Sequence, residues 1–478
     1  MTEIIFEKSV SGRRGVRFPD VGVEAAPLEE FLPSELLRDD NLNLPELTEL
    51  DVMRHFVNLS HKNFSIDTVF YPLGSCTMKY NPKINEFAAS LSGFNIHPAH
   101  EDSQGALKLI YELQEQLKVI TGMDAISLQP AAGAQGEFAG MLIVKAYFEN
   151  KGEKRTKVLI PDSEHGTNPA SAKMCGFDIV EIKSNSKGMV DPEELKKHLS
   201  PDVAAIMMTN PNTLGLFEEN IVEIANLVHD AGALLYYDGA NLNAIMGINN
   251  HALMGFDIVH INLHKTFSTH HGGGGPGAGP VAVVKKLADY LPVPVAAYDG
   301  TKYYLDYEFK NTIGRVKAFY GNFGVLVRAY TYIIMMGSKG LRQVSTDAVL
   351  NANYLKEKLK DVYNLPYDRL CMHEFVLSGE LQKQNGVNTL GIAKRLMDFN
   401  IHPPTVYFPL IVPEAIMIEP TETESKETLD NFIDVMKNIS SEIEQDSELV
   451  LESPLRTPVS RVDETLAARQ PNLKWADN

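Results

Sequence analysis

From about residue 104 the chain alternates short apolar runs with amphipathic stretches of helical period, and this alternation restricts its fold more than any other feature. Ala106, Leu107, Ile110, Leu113 and Leu117 mark one face of a helix. Apolar runs of strand length follow at 125–128, 157–160, 178–182, 203–208, 233–237, 258–263 and 281–284, with helical patterns such as 136–149 and 221–231 between them. Strands separated by helices cannot pair through tight turns, so they lie parallel in a sheet whose two faces the helices cover. The expected fold class is α/β with a mainly parallel large-domain sheet.

The alternation breaks at 285–305, a segment rich in Pro, Ala and Tyr (Pro292, Pro294, Tyr298, Tyr303, Tyr304) that reads as a crossover between lobes. A long apolar helix is expected at 320–337. A second α/β unit follows, with helices near 350–362 and 387–400 and strands near 375–377 and 415–418. The expected organisation is an acidic N-terminal arm at 1–65, a large domain at 66–300 and an interdomain helix region at 301–345. A smaller C-terminal α/β domain then occupies 346–445, and 446–478 form a polar tail, loose or laid on a partner.

A chain of 478 residues with 44% hydrophobic content can bury real cores. Its net charge of -18 argues against binding phosphate backbones or anionic membranes, which need clustered Lys and Arg. No apolar run approaches the roughly 20 residues that span a bilayer, and Glu3 stands where a signal peptide carries basic residues. The expectation is a cytoplasmic protein with neither nucleic acid nor membrane as partner. Cys76, Cys175 and Cys371 are odd in number and far apart, which disfavours a disulfide framework or a zinc site.

Chemistry concentrates at the ends of the strand runs. Ile261-Asn262-Leu263-His264-Lys265 is a buried-type strand closing on a lysine, with Gly272-Gly273-Gly274-Gly275-Pro276-Gly277 just beyond. Such a lysine is either a solvated loop residue or a desolvated amine, nucleophilic enough to form a Schiff base. Asp238 ends the run before it, 27 residues upstream, a spacing that suits two strands joined by one connection. It is a turn aspartate or the carboxylate that keeps a pyridine nitrogen protonated. The small-residue turn Ala132-Gly133-Ala134-Gln135 opens a helix, where backbone amides can hold a phosphate. His165 follows another strand and can stack on a ring, and Asn212, with Thr213, could reach a phenolic oxygen. A phosphate turn, a stacking ring, a polar contact, an acid and a lysine on one sheet edge point to pyridoxal 5'-phosphate on Lys265, in the aminotransferase-like fold-type I arrangement. His270 and His271 lack a carboxylate or cysteine at ligand spacing and read as loop residues, so no metal is expected.

These segments, together with Phe6-Glu7-Lys8-Ser9, Gly12-Arg13-Arg14-Gly15 and the run from Tyr71 to Pro82 (YPLGSCTMKYNP), make the chain resemble the P-protein of the glycine cleavage system. The likeness is to the C-terminal half of that family of decarboxylating glycine dehydrogenases, which is a separate subunit 2 in some organisms. The resemblance implies that glycine displaces Lys265, loses CO2, and passes its aminomethyl group to the lipoyl arm of the H-protein. It also implies a subunit 1 of the same fold, an α2β2 assembly with a shared site, and contacts made by arm and tail. Ser75, Cys76 and Thr77 match a segment expected to face substrate and shape a pocket too small for anything but glycine. The same run as a purely structural turn is the competing account.

Three other readings are open. An aminotransferase needs an arginine clamp, for which Arg369 is the obvious candidate, and a cysteine desulfurase needs a mobile cysteine, whereas Cys371 sits in an apolar segment. A non-catalytic scaffold subunit would have no use for Lys265 and Asp238 together.

Overall fold

The computed structural model describes residues 3–40, 42–95, 97–98, 102–271, 277–473 and 475. Seven strands form one sheet: β1 (Ala125–Ser127), β2 (Lys157–Pro161), β3 (Asp178–Ile182), β4 (Val203–Thr209), β5 (Leu234–Gly239), β6 (Ile258–Ile261) and β7 (Val281–Val283). Their order is β1-β7-β6-β5-β4-β2-β3, and β7 alone runs against its neighbours. Successive residues of the central strands enter different cores. Leu159, Ile206, Leu235 and Val259 join one cluster, while Val158, Ala205, Leu234 and Ile258 join the other. This period-two split into two dry faces is why the runs read as continuously apolar.

Helix Gly133–Asn150 covers one face, and helix Gln104–Thr121 contributes to the core of the other. Two further strands, β8 (Val295–Tyr298) and β9 (Tyr303–Asp306), form a hairpin in the segment read as a crossover. The helix expected at 320–337 runs from Phe323 to Leu359, so it passes through the boundary drawn at 345 and absorbs most of the next expected helix. Only Gly337 leaves helical geometry (φ 61°, ψ 177°). The first part of this helix supplies Leu326 and Val327 to the large core, and its end supplies Leu355 and Leu359 to the small one.

The small lobe is built on β10 (Phe375–Ser378), β11 (Thr405–Val406) and β12 (Ala415–Ile418), in the order β10-β12-β11 and antiparallel throughout. Helix Lys426–Gln445 buries Leu429, Phe432, Met436 and Ile439 against it, a 3–4 spacing that makes one apolar stripe. The tail expected from 446 begins later. Helix Ser447–Glu452 places Val450, 0% exposed, in the small core.

Residues 1–65 and 456–478 form a separate compact unit. Within it, Phe6 stacks on Trp475 with ring centroids 5.5 Å apart. Helix Glu49–Ser60 begins with a reciprocal capping box between Thr48 and Asp51. The unit leaves Val16, Phe18, Val21 and Phe31 largely exposed.

Candidate active site

A cavity of about 200 Å³ opens at the carboxyl edge of the parallel strands, and Lys265, Asp238, His165, Gly133, Ala134 and Ser75 are among the residues that line it. Strand β6 ends at Ile261, two residues earlier than the apolar run, because the backbone turns into the one-turn helix Leu263–Thr266 that carries Lys265. The Lys265 Nζ donates a hydrogen bond of 2.8 Å to the Ser75 carbonyl.

Asp238 lies near the end of β5, in register with His260 on β6. Burial pushes its pKa up, but His260, Lys265 and the Ala240 amide, which donates to Oδ1 at 2.9 Å, outweigh that and hold it below the usual carboxylate range. The His260 Nε2 stands 3.2 Å from Oδ1, outside hydrogen-bond geometry, while its Nδ1 pairs with the Tyr236 hydroxyl at 2.8 Å. Burial lowers the pKa of His260, against the pull of Asp238, which favours the charged ring.

Helix Gly133–Asn150 starts at Ala132 without a side-chain cap, and its first intrahelical bond runs from the Gly136 amide to the Ala132 carbonyl. The preceding amides therefore project from a helix N-terminus, a ready site for an anion. Glycine at 133 keeps the turn close to the Asn262 side chain, a wall of the cavity that a Cβ at 2.8 Å would displace. Gly133 and Ala134 line the cavity. Gln135 turns its amide away, donating to the Val316 carbonyl at 2.6 Å and accepting from the Ala131 amide at 2.5 Å, so only its backbone faces the turn. His165 stands at the mouth, and its Nδ1 is 2.8 Å from the Thr167 hydroxyl. The surrounding walls and the Lys265 charge lower its pKa although the ring reaches solvent.

The reading of Asn212 needs correction. Its side chain closes its own turn, with Nδ2 donating to the Gly188 carbonyl at 2.8 Å and Oδ1 accepting from the Leu214 and Leu216 amides. Thr209 and Thr213 line the cavity instead. Asn241, Asn262 and His264 also line it and were not singled out in the sequence.

Two buried acids were missed as well. Glu137 accepts from Thr167 Oγ1 at 2.9 Å and Ser171 Oγ at 3.0 Å, and burial together with the Asp238 charge raises its pKa to about 7. Glu164 accepts from the Thr209 amide at 2.9 Å, and burial raises it to about 8. For Glu137 the available signal was a carboxylate within a stretch of small residues, a residue type that is costly to bury without partners, whereas Glu164 stands among polar neighbours that gave none.

Opposite the strand ends lies the loop of Ser75, Cys76 and Thr77. Ser75 (φ 64°) and Thr77 (φ 49°) adopt left-handed backbone, unusual for any residue other than glycine and more so for a β-branched one. Burial raises the Cys76 thiol above its ordinary pKa despite the nearby Lys265, which disfavours a thiolate there. Cys371 is buried and its thiol is pushed up to about 12, and Arg369 pairs with Glu219 at 2.6 Å. Neither residue lines the cavity. His270 pairs with Glu86 at 3.2 Å, while residues 272–276 of the glycine run lie outside the described residues.

The residues present fit pyridoxal phosphate. An amine, an ionised buried carboxylate, uncapped helix amides beside a cradle that a Cβ would fill, and a flat neutral ring all border one cavity.

The family model described as glycine dehydrogenase, C-terminal domain, matches residues 344–455, and that of aminotransferase class-V matches residues 134–290. The chain is 59% identical to proteins named probable glycine dehydrogenase (decarboxylating) subunit 2 from Caldanaerobacter subterraneus subsp. tengcongensis and from Listeria innocua. Each alignment covers 99% of this chain and 98% of the relative. Among solved structures, a glycine decarboxylase (P-protein) of the glycine cleavage system in inhibitor-bound form superposes with a TM-score of 0.73 at 21% identity. It covers 87% of this chain and 95% of that one. A cysteine desulfurase from Thermococcus onnurineus NA1 superposes with a TM-score of 0.61 at 16% identity, covering 78% of this chain and 95% of that one, which again shows the shared fold.

Proposed function

The chain belongs to the glycine dehydrogenase (decarboxylating) subunit 2 family, and on that footing we propose that it decarboxylates glycine with pyridoxal phosphate held at Lys265 and hands the aminomethyl group to the lipoyl arm of the H-protein. The observation that carries this reading is that Lys265, Asp238 and the uncapped start of helix Gly133–Asn150 border one cavity. When bound, the cofactor supplies an electron sink for the pair left behind as the carboxylate departs.

The remaining work falls to side chains and backbone. Lys265 is the attachment amine, and the Ser75 carbonyl fixes its direction. Asp238 keeps its charge in a buried setting and so holds a proton on a ring nitrogen set against it. The Gly133 and Ala134 amides bind phosphate, with Ala132 and Gln135 framing the turn by their backbone. His165 offers a neutral face for stacking. Ser75, Cys76 and Thr77 would close the substrate side around a molecule with no side chain.

The assembly we propose is α2β2 with a subunit 1. The exposed Val16, Phe18, Val21 and Phe31 support it, since apolar surface of that kind gains by being covered. The proposal places the enzyme in the cytoplasm, a reducing compartment that suits its three free cysteines. No helix among the described residues is long and apolar enough to cross a membrane.

The test is exchange of labelled CO2 into the glycine carboxyl carbon by this chain with pyridoxal phosphate and lipoylated carrier, with and without subunit 1. Exchange only when both subunits are present is the expected result. A cofactor-loaded chain that gives no exchange in any combination would overturn the proposal and favour another reaction of the same cofactor.

A further inference from the structure

The Ser75–Thr77 loop precedes the large sheet in sequence, yet its contacts tie it to the small lobe. Leu73 forms an antiparallel bridge with Ile418 at the end of β12, and the Glu419 amide donates to the Pro72 carbonyl at 3.3 Å. The Gly74 carbonyl accepts from Thr405 Oγ1 at 2.7 Å, and a Cβ on Gly74 would lie 2.2 Å from the Met417 side chain. The loop is thus an added strand end of the small sheet, packed closely enough that only glycine fits at its start.

Two carboxylates of the same sheet then take hold of it. Glu374, just before β10, accepts from the Ser75 amide at 2.8 Å. Glu419, just after β12, accepts from the Thr77 amide at 2.8 Å and from its hydroxyl at 2.6 Å. Both acids are 0% exposed. His373, also 0% exposed, has both ring nitrogens without a hydrogen-bond partner, and its Nε2 lies 3.8 Å from each carboxylate. Asn241, at the end of β5, reaches Glu374 at 3.4 Å and so links this cluster to the Asp238 edge of the cavity.

Burying two acids side by side is costly, and a turn needing only left-handed backbone would be satisfied by Gly or Asn. What these acids supply is a fixed acceptor for each of two strained amides. The consequence lies at the loop's outer edge, where the Ser75 carbonyl meets the Lys265 amine.

We propose that Glu374 and Glu419 are positioning residues: they hold the Ser75–Thr77 backbone so that the Ser75 carbonyl engages Lys265, and through them the small lobe sets how closely the substrate side of the cavity shuts. This rests on the reading of Lys265 as the attachment amine and of the loop as the substrate wall. The two acids stand behind the loop rather than on the cavity, so they act through it.

Two measurements test this, the first independent of cofactor and activity. In the full chain without cofactor, amide hydrogen exchange of a peptide spanning residues 70–80 should speed up by roughly five- to tenfold in Glu374→Ala and Glu419→Ala, the scale of losing one buried hydrogen bond. Peptides from β4 and β5 should not change. In the loaded enzyme with its partner subunit, both variants should raise the glycine KM by a similar factor while the visible cofactor band persists and its pH titration, which reports on Lys265, shifts. Glu374→Gln retains an acceptor for the Ser75 amide and should restore most of the parent behaviour.

Unchanged loop exchange, or a loss confined to kcat with KM and the band titration unmoved, would overturn the inference. If the Ala variants fail to fold, Glu419→Asp still decides. It keeps the acid but withdraws both acceptors from the Thr77 amide and hydroxyl by one methylene, so faster loop exchange with raised KM supports the proposal, and parent values for both overturn it. A parent chain with no visible band that depends on Lys265 would sink the underlying reading instead, whatever the loop amides do.

Discussion

The two walls of the cavity are made in different ways. The strand-end wall takes Asp238 from β5 and Lys265 from the turn after β6, neighbours in a sheet whose central strands are wholly buried. Its backbone is held by a continuous ladder. The opposite wall is a loop with two left-handed non-glycine residues, held by carboxylates 299 and 342 residues away in the chain. One wall is stiff because of what it is part of, and the other because of what grips it. With the proposed attachment lysine and its counter-charge on the stiff wall, the gripped wall can vary without disturbing the sheet.

If that division is right, damage to the stiff wall abolishes reaction and damage to the other wall redirects it. Lys265→Ala should lower glycine–CO2 exchange on the order of 10⁴-fold or more, as expected for a lost covalent attachment, and erase the visible band. Residual exchange near parent level would break the comparison at its root. Asp238→Asn keeps the shape and removes the charge, so exchange should fall roughly 10²–10³-fold, the usual scale for losing one preorganised electrostatic partner. A stopped-flow assay at saturating cofactor separates this from weak binding.

Cys76→Ala and Thr77→Ala should cost only about tenfold on glycine, within the range expected of one lost hydrogen bond or contact, while relaxing the exclusion of alanine. Unchanged turnover of both amino acids would mean that the loop is structural and not a substrate wall.

The smallest effect expected concerns stability. Glu164 has a folded pKa near 8 against an ordinary value of 4.5, so its contribution is complete below about pH 4.5 and declines as pH climbs toward 8. Glu164→Gln imitates the neutral acid and removes that decline. Its Tm relative to parent should rise between pH 6 and pH 9, and an equal offset at both would show the group ionised throughout.

The stiff wall was legible in sequence because its information is local. A strand of period two, a turn and a polar residue at the strand end are written within about ten positions, and Lys265, Asp238 and Gly133 could each be read from their own segment. Asn212 misled because a polar residue at a strand end has two uses, and closing the tight turn to Leu214 and Leu216 is the one it serves. Glu374 and Glu419 could not be read at all. Each sits beside an apolar strand of the small lobe, and nothing within reach in sequence indicates that its partner is an amide near residue 76. The helix from Phe323 to Leu359 was cut in two for a related reason: apolar periodicity fades where the helix passes from one core to the other, although its backbone continues.

The bond between Thr77 and Glu419 also bears on the order in which the molecule can be assembled. It closes a loop of 342 residues, whereas Asp238 and Lys265 are 27 apart. The chain entropy lost on closing the longer loop exceeds that of the shorter by only about 2 kcal/mol, because the cost grows with the logarithm of length. The larger consequence is one of sequence in time. A chain growing from its N-terminus has made all seven strands of the large sheet well before residue 419 exists, so the strand-end wall can form while the loop wall still lacks its anchor. During synthesis, then, Lys265 has its strand-end surroundings in place while the loop that faces it waits for residue 419.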